Sequence, residues 1–165
     1  LEFTHDLIQQ GKLKLDKSQN DDMVLTYHDS CNVARASRMG DQPGGQFEIP
    51  RAIIKTVCNN YFDMDEESIR ERTFCCGGGG GLLTDDLMEI RVKGAKPRVE
   101  ALNNVMQEKG VTHMAAICAI CKSQFSKVLP FYGMEMDQIV SVHQLVSNAI
   151  ILTGQETGEE ADEAA

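Results

Sequence analysis

The chain lacks the long apolar run that a membrane span needs. None of its hydrophobic stretches approaches the roughly 20 residues that cross a bilayer. No secretory leader opens it either. Basic residues are outnumbered, 16 Lys and Arg against 25 Asp and Glu, so the electrostatic footprint of a nucleic-acid binder is missing. No internal repeat is found, and the absence of tryptophan says little about class. Direct membrane insertion and nucleic-acid binding are therefore not expected.

What is present suits one domain. The 165 residues suffice for a real core, and a hydrophobic share of 42% is ordinary for a globular chain. The net charge is −9, and Glu156, Glu159, Glu160, Asp162 and Glu163 crowd the last ten residues with no base among them. Residues 154–165 are expected to be a disordered acidic tail, leaving 1–153 as the folded domain. The first residue is Leu1 rather than Met, as in a piece of a longer protein.

The run Phe74-Cys75-Cys76-Gly77-Gly78-Gly79-Gly80-Gly81 stands out. Glycine loses the most backbone entropy on folding and buries no side chain, so packing does not account for five in a row. Beside two thiols, such a run suggests backbone brought close to a bulky anionic object, with N–H groups exposed to it. An iron–sulfur cluster fits, since thiolates bind iron and N–H groups bond to its sulfurs.

Read in order, residues 1–10 are expected to form a short helix with Leu7 and Ile8 inward, ended by Gly11. Met23 to His28 reads as a buried parallel strand, with Asp29-Ser30-Cys31 at its carboxyl end. Gly40 to Gly45 reads as a loop, and Pro50 as the first position of a helix carrying Ile53, Ile54 and Val57 inward. Tyr61 to Met64 is a candidate second strand. Leu82 to Val92 looks helical, and a separate helix is expected from Pro97 to Gly110 with Val99, Leu102, Val105 and Met106 on one stripe. Thr112 to Cys118 reads as a third strand. Cys118-Ala119-Ile120-Cys121 then turns into a helix holding Phe125, Val128 and Leu129, ended by Gly133. Gln138 to Val140 is a short strand, and Ser141-Val142-His143-Gln144 has capping-box spacing for a last helix. Strands alternating with helices predict an α/β fold, a small, mostly parallel sheet with flanking helices.

On this pattern Cys31, Cys75-Cys76 and Cys118 with Cys121 follow three different strands, so five thiols converge on the carboxyl edge of the sheet. The pairs Cys75-Cys76 and Cys118-x-x-Cys121 are poor structural disulfides, which favours metal or redox chemistry. Five thiolates exceed a tetrahedral zinc site and the four ligands of an ordinary cubane cluster. A larger or irregular iron–sulfur cluster is the natural occupant, with zinc as the alternative.

Tyr27-His28-Asp29-x-Cys31, Phe74-Cys75-Cys76-Gly77-Gly78-Gly79 and Cys118-x-x-Cys121 together resemble the cysteine-rich CCG domain of heterodisulfide reductases. The resemblance runs from His5 to Leu152. It implies a noncubane [4Fe-4S] cluster held by Cys31, Cys75, Cys76, Cys118 and Cys121, catalytic through that cluster, with Gly77, Gly78 and Gly79 cradling it. It also implies reduction of a disulfide or trisulfide. Members usually carry two such domains, and this chain has one motif set and no ferredoxin-like Cys-x-x-Cys-x-x-Cys-x-x-x-Cys-Pro module, so it is similar to the C-terminal part of a larger subunit.

Ser30 stands where many members have Pro, Ala119-Ile120 replaces a frequent Pro-aromatic pair, and the spacers between ligands run long. With Asn32 to Ala36, these features look closest to the DsrK component of the Dsr membrane complex. That type implies electrons from a membrane or soluble donor subunit and a trisulfide on a small sulfur-carrier protein of the DsrC type, or another thiol or disulfide substrate. It also implies a cytoplasmic position, peripheral on a membrane complex. Two further readings remain: an iron–sulfur domain of a 2-hydroxy acid or glycerol-3-phosphate oxidising enzyme, and a zinc-held docking module.

The other candidates have plainer readings beside the functional ones. Cys58 sits next to Val57 and is expected to be a buried small hydrophobe. His28 either tunes the site or relays a proton, or is a hydrogen-bonded structural residue. His113 and His143 are expected at the surface or in caps, and Lys122 either faces cluster charge or is a solvated helix-start lysine.

Overall fold

Leu25-Thr26-Tyr27 (β1) is buried on both faces, as a continuous β-prone run of this kind demands. The computed structural model describes residues 1–39, 42–43 and 46–152. The expected tail, 154–165, lies outside them, as do Gly40, Asp41, Gly44 and Gly45 of the expected loop. The described part of that loop, Gln42–Pro43, is a two-residue strand (β3) paired antiparallel with β2 (Arg38–Met39) just before it.

Strand β1 pairs in parallel with β4 (His113–Ala116), which pairs in parallel with β5 (Ile139–Ser141), giving the order β1-β4-β5. The small parallel α/β sheet with flanking helices is therefore as expected. The second strand is not. Tyr61 makes a single parallel bridge to Leu25 on the free edge of β1, and the chain then leaves the sheet through short 3-10 turns at Glu66–Ser68 and Arg70–Arg72. Cys75 and Cys76 thus follow an irregular excursion rather than a strand.

The sheet separates two apolar cores by its two-residue alternation. Leu25, Tyr27 and Ala115 pack with Ile53, Ile54 and Val57 of α2 (Glu48–Val57) and with Leu145, Val146 and Ala149 of α5 (Val142–Ala149). Met114, Ala116 and Ile139 face the other way, against α3 (Met88–Lys109) and α4 (Ala119–Val128). Each fully buried aliphatic side chain contributes about 1.5–3 kcal/mol. Helix α1 (Glu2–Gln9) lies outside with Leu7 and Ile8 only partly covered, and Gly11 in the left-handed region ends it.

Three local expectations change. Helix α2 starts at Glu48, so Pro50 is its third residue. The capping box expected at Ser141 makes no side-chain cap; one forms instead between Glu135 and Gln138, at the turn before β5. The third change is the largest: the two helices expected on either side of Pro97 are one, and residues 82–87 ahead of it are not α-helical. Proline removes the N–H that would meet the Lys93 carbonyl, yet the helix runs on through it, and side chains from other elements bond carbonyls in the turn before. Gln124 Nε2 donates to the Arg91 carbonyl at 3.2 Å, and the Tyr132 hydroxyl to that of Val92 at 2.6 Å. Among the described residues no helix is long and apolar enough to cross a membrane.

Candidate metal centre

Adjacent strands β1 and β4 end side by side, and the chain leaves β1 toward the Tyr61 edge before returning on the other side as β4. Open α/β sheets form a crevice at such a reversal, outside the carboxyl ends of the strands. Cys31 lies in the turn after β1, where the Ser30 carbonyl accepts the N–H groups of Val33 and Ala34 at 3.0 and 2.8 Å. Cys118 comes two residues after the end of β4, at the N-cap of α4, and Cys121 sits in its first turn. Cys31, Cys75, Cys76, Cys118 and Cys121 line one pocket, together with Ser30, Asn32, Gly79, Gly80 and Ile120. All six cysteines of the chain are free thiols, and the sixth, Cys58, is buried at the end of α2, in the other core.

The thiols grade from mouth to floor. Cys75 is exposed, Cys31 and Cys118 are half-buried, and Cys76 and Cys121 are buried. Contact with Cys121 and burial push the Cys76 thiol up to about 12. Contact with Cys76 and burial push Cys75 up as well. Backbone N–H groups work the other way: that of Gly77 donates to Cys75 Sγ at 3.3 Å, and that of Gly78 favours the Cys76 thiolate.

Each glycine has a different reason. At Gly77 (φ +82°) a Cβ would lie 2.7 Å from the Ala95 nitrogen and the Arg91 carbonyl oxygen, because the turn rests directly on the backbone of α3 at Gly94. At Gly78 a Cβ would crowd Cys76 Sγ at 3.3 Å and Ile120 Cγ2 at 3.2 Å. Gly79 and Gly80 are left-handed and line the pocket without obstructing it. The bulky object that Gly77 accommodates is therefore α3, while Gly78 and its successors leave room around the thiols.

Buried charges that sequence reading missed hold the three cysteine-bearing stretches together. Asp29, fully buried, takes Arg51 Nη1 and Nη2 at 2.8 and 2.7 Å, and the Arg70 N–H at 2.8 Å. Its carbonyl accepts the Thr73 hydroxyl, tying the Cys31 turn to the Cys75 approach. Arg70 adopts φ +52° there, a left-handed conformation costing about 1–2 kcal/mol. Arg91 Nε donates to Gln124 at 2.8 Å, joining α3 to the helix that carries Cys121. Arg98 Nη2 donates to the Thr73 hydroxyl at 2.9 Å and to the Ser68 carbonyl, joining α3 to the Cys75 approach. A signal existed: Arg91, Ala95, Arg98, Leu102 and Val105 are buried at helical spacing. The arginines broke the apolar pattern that would have revealed the stripe.

His28 is fully buried, edge-on to Phe125 with ring centroids 5.1 Å apart, and neither ring nitrogen has a partner. It is not the hydrogen-bonded structural histidine considered above. Burial, helped by the Arg98 charge, holds its pKa well below the ordinary value, so the ring is neutral. The Tyr27 hydroxyl and Ser30 Oγ are likewise buried without partners. His113 meets the Thr112 hydroxyl at 2.8 Å, His143 is exposed, and Lys122 is half-buried in α4.

Among the described residues no three His, Cys, Asp or Glu side chains gather as around a single ion. The thiols ring a pocket instead of a point. Five sulfur donors, nearby N–H groups and the clearance at Gly78 to Gly80 fit a thiolate-ligated iron–sulfur cluster better than one tetrahedral metal.

The family model of the CCG cysteine-rich domain matches residues 25–126, the span from β1 through most of α4. The chain belongs to the CCG cysteine-rich domain family. It is 40% identical over 153 residues to the Hdr-like menaquinol oxidoreductase iron-sulfur subunit 2 of Archaeoglobus fulgidus, covering 93% of this chain and 26% of that protein. The Hdr-like menaquinol oxidoreductase iron-sulfur subunit of Archaeoglobus profundus is 42% identical with the same coverage. A dihydromethanophenazine:CoB--CoM heterodisulfide reductase subunit of Methanosarcina mazei is 27% identical, over 90% of this chain and 32% of that protein. This CCG chain thus spans about a quarter to a third of the length of these curated relatives. No solved structure matches it.

Proposed function

We propose that this CCG domain is the iron–sulfur domain of an oxidoreductase of the heterodisulfide reductase type, acting on a sulfur–sulfur bond. The observation that carries the reading is the pocket at the ends of β1 and β4, where five thiols from three stretches meet beside unobstructed glycines. Cys31, Cys75, Cys76, Cys118 and Cys121 would hold a noncubane [4Fe-4S] cluster, which supplies electrons one at a time to a cleavage that needs two. Cleaving the bond takes two electrons and two protons and yields two thiols.

The chain's own residues set the conditions. Cys76 and Cys121 form a dry floor, while the exposed Cys75 side leaves the mouth open to a substrate carried on a protein arm. Neutral His28, three residues before Cys31 and buried against Phe125, carries one unpartnered N–H that would orient a ligand or relay a proton. A disulfide, or a trisulfide on a small carrier of the DsrC type, is the proposed substrate. The donor is proposed to be a quinol-linked subunit, with this domain peripheral on a membrane complex. The names of the Archaeoglobus relatives, as menaquinol oxidoreductase subunits, support that donor.

Iron and acid-labile sulfide per chain, measured with an EPR spectrum after anaerobic reconstitution, test the reading. About four irons per chain are expected, with a signal that changes on adding thiol. Cys76→Ser should lose the native spectrum and Cys58→Ser keep it. One zinc without sulfide, or an unchanged Cys76→Ser spectrum, overturns it.

A further inference from the structure

We infer that Arg98 is the buried counter-cation of the thiolate pocket, placed behind Cys75-Cys76-Gly77 to raise the reduction potential of the group the thiols hold. The inference rests on the cluster reading above. Arg98 is fully buried on α3, one turn beyond Gly94 and Ala95, the backbone on which Gly77 rests. Its guanidinium stacks over Phe74 at 5.7 Å, and its hydrogen bonds reach Thr73, Ser68 and Met64 Sδ, the last at 2.7 Å. Nε has no partner, and among the described residues Arg98 pairs with no carboxylate.

A buried cation without a counter-ion is costly, so its compensation has to come from somewhere. Asp29, the carboxylate in electrostatic range, is already held by both Nη atoms of Arg51. The contacts of Arg98 with Thr73 and Phe74 lead straight into Cys75 and Cys76, and Cys76 shares its buried cluster with Cys121. Metal-ligating cysteines are thiolates, so the pocket gathers anionic charge where Arg98 waits unpaired. Burial pulls the guanidinium down to about 10, which leaves it charged at neutral pH. A fixed positive charge in a low-dielectric site favours the more negative, reduced form.

Two variant pairs test this on the full chain loaded anaerobically with iron and sulfide, read by EPR-monitored redox titration. Met64→Glu places a carboxylate against Arg98 and should shift the potential negative. Met64→Gln, which keeps an acceptor without charge, should leave it near wild type. Arg98→Gln should shift it negative and Arg98→Lys restore it, even if both lower the melting temperature. If Arg98→Gln does not fold, the Met64 pair decides. A loaded Met64→Glu chain with unmoved potential, or equal shifts for Glu and Gln, overturns the inference alone. A wild-type chain that takes up no iron and sulfide overturns the cluster reading and this inference together.

Discussion

The face of the sheet under α2 and α5 is a closed aliphatic seam of Leu25, Ile53, Ile54, Val57, Leu145 and Val146. The face under α3 and α4 has the same aliphatic filling at its far end, around Leu102, Val105 and Leu129. Toward the strands' carboxyl ends it takes in Arg91, Arg98, Gln124 and His28 with two cysteines. The first face obeys ordinary burial, in which every apolar atom removed from water stabilises, and the unpartnered Tyr27 hydroxyl is a departure from it. The second keeps several polar atoms buried without partners, among them Arg98 Nε, Arg91 Nη2 and both His28 nitrogens. Such atoms destabilise a domain unless a ligand or charge compensates them. Both faces carry apolar cores, but the thiol pocket lies on one of them, with Asp29 and Arg51 bolting it in place.

Asp29→Asn should have the largest effect on the site, because it leaves the buried Arg51 with Asp63 alone. About 3 kcal/mol of stability is expected to be lost, at the low end of the cost of breaking a buried pair. Iron uptake should fall with it, since the Cys31 turn and the Cys75 approach both hang on this carboxylate. Denaturant unfolding and iron analysis on the same sample check both; normal uptake would show the bolt to be unnecessary. Leu145→Ala, in the aliphatic seam, should cost about 2–5 kcal/mol yet leave iron content unchanged below the melting temperature. Loss of iron there would break the division between the faces.

The smallest effect is acid sensitivity. His28 is held neutral in the fold but takes up a proton near pH 6.5 once unfolded. The unfolded chain therefore binds more protons below that pH, and stability falls as pH drops through it, by up to about 1.4 kcal/mol per unit. Melting temperatures between pH 7.5 and 5.5 should decline for the wild type and flatten for His28→Gln. Equal slopes would place the acid sensitivity elsewhere.

Several elements were legible because one residue's neighbours in sequence decide them. Strand β1, the inward face of α2 and the turn from β4 through Cys118 into α4 follow from run length, helical spacing and β-branching. The single helix across Pro97 was not legible, since a proline reads locally as a helix start, while the helix packs on both sides of it, with Arg91, Ala95, Arg98 and Leu102 all buried. The missing second strand was also misread. Tyr61-Phe62 has strand propensity, but only Tyr61 finds a bridge, and the following chain is drawn off by Asp29 and Arg98. Likewise the glycine run announced a close approach without naming its object, which at Gly77 is Gly94 of α3.

By itself the sequence determined which atoms could do chemistry here: five thiols in three stretches, a glycine run beside two of them, and alternating elements that sum to a parallel α/β sheet. Those properties are local, fixed by residue type and by spacing along the chain. Only the tertiary structure decided that Cys76 and Cys121 lie on the floor and Cys75 at the mouth, and that three arginines stay buried around them. Those depend on free energies of burial and pairing, and burial is a property of what the rest of the chain covers.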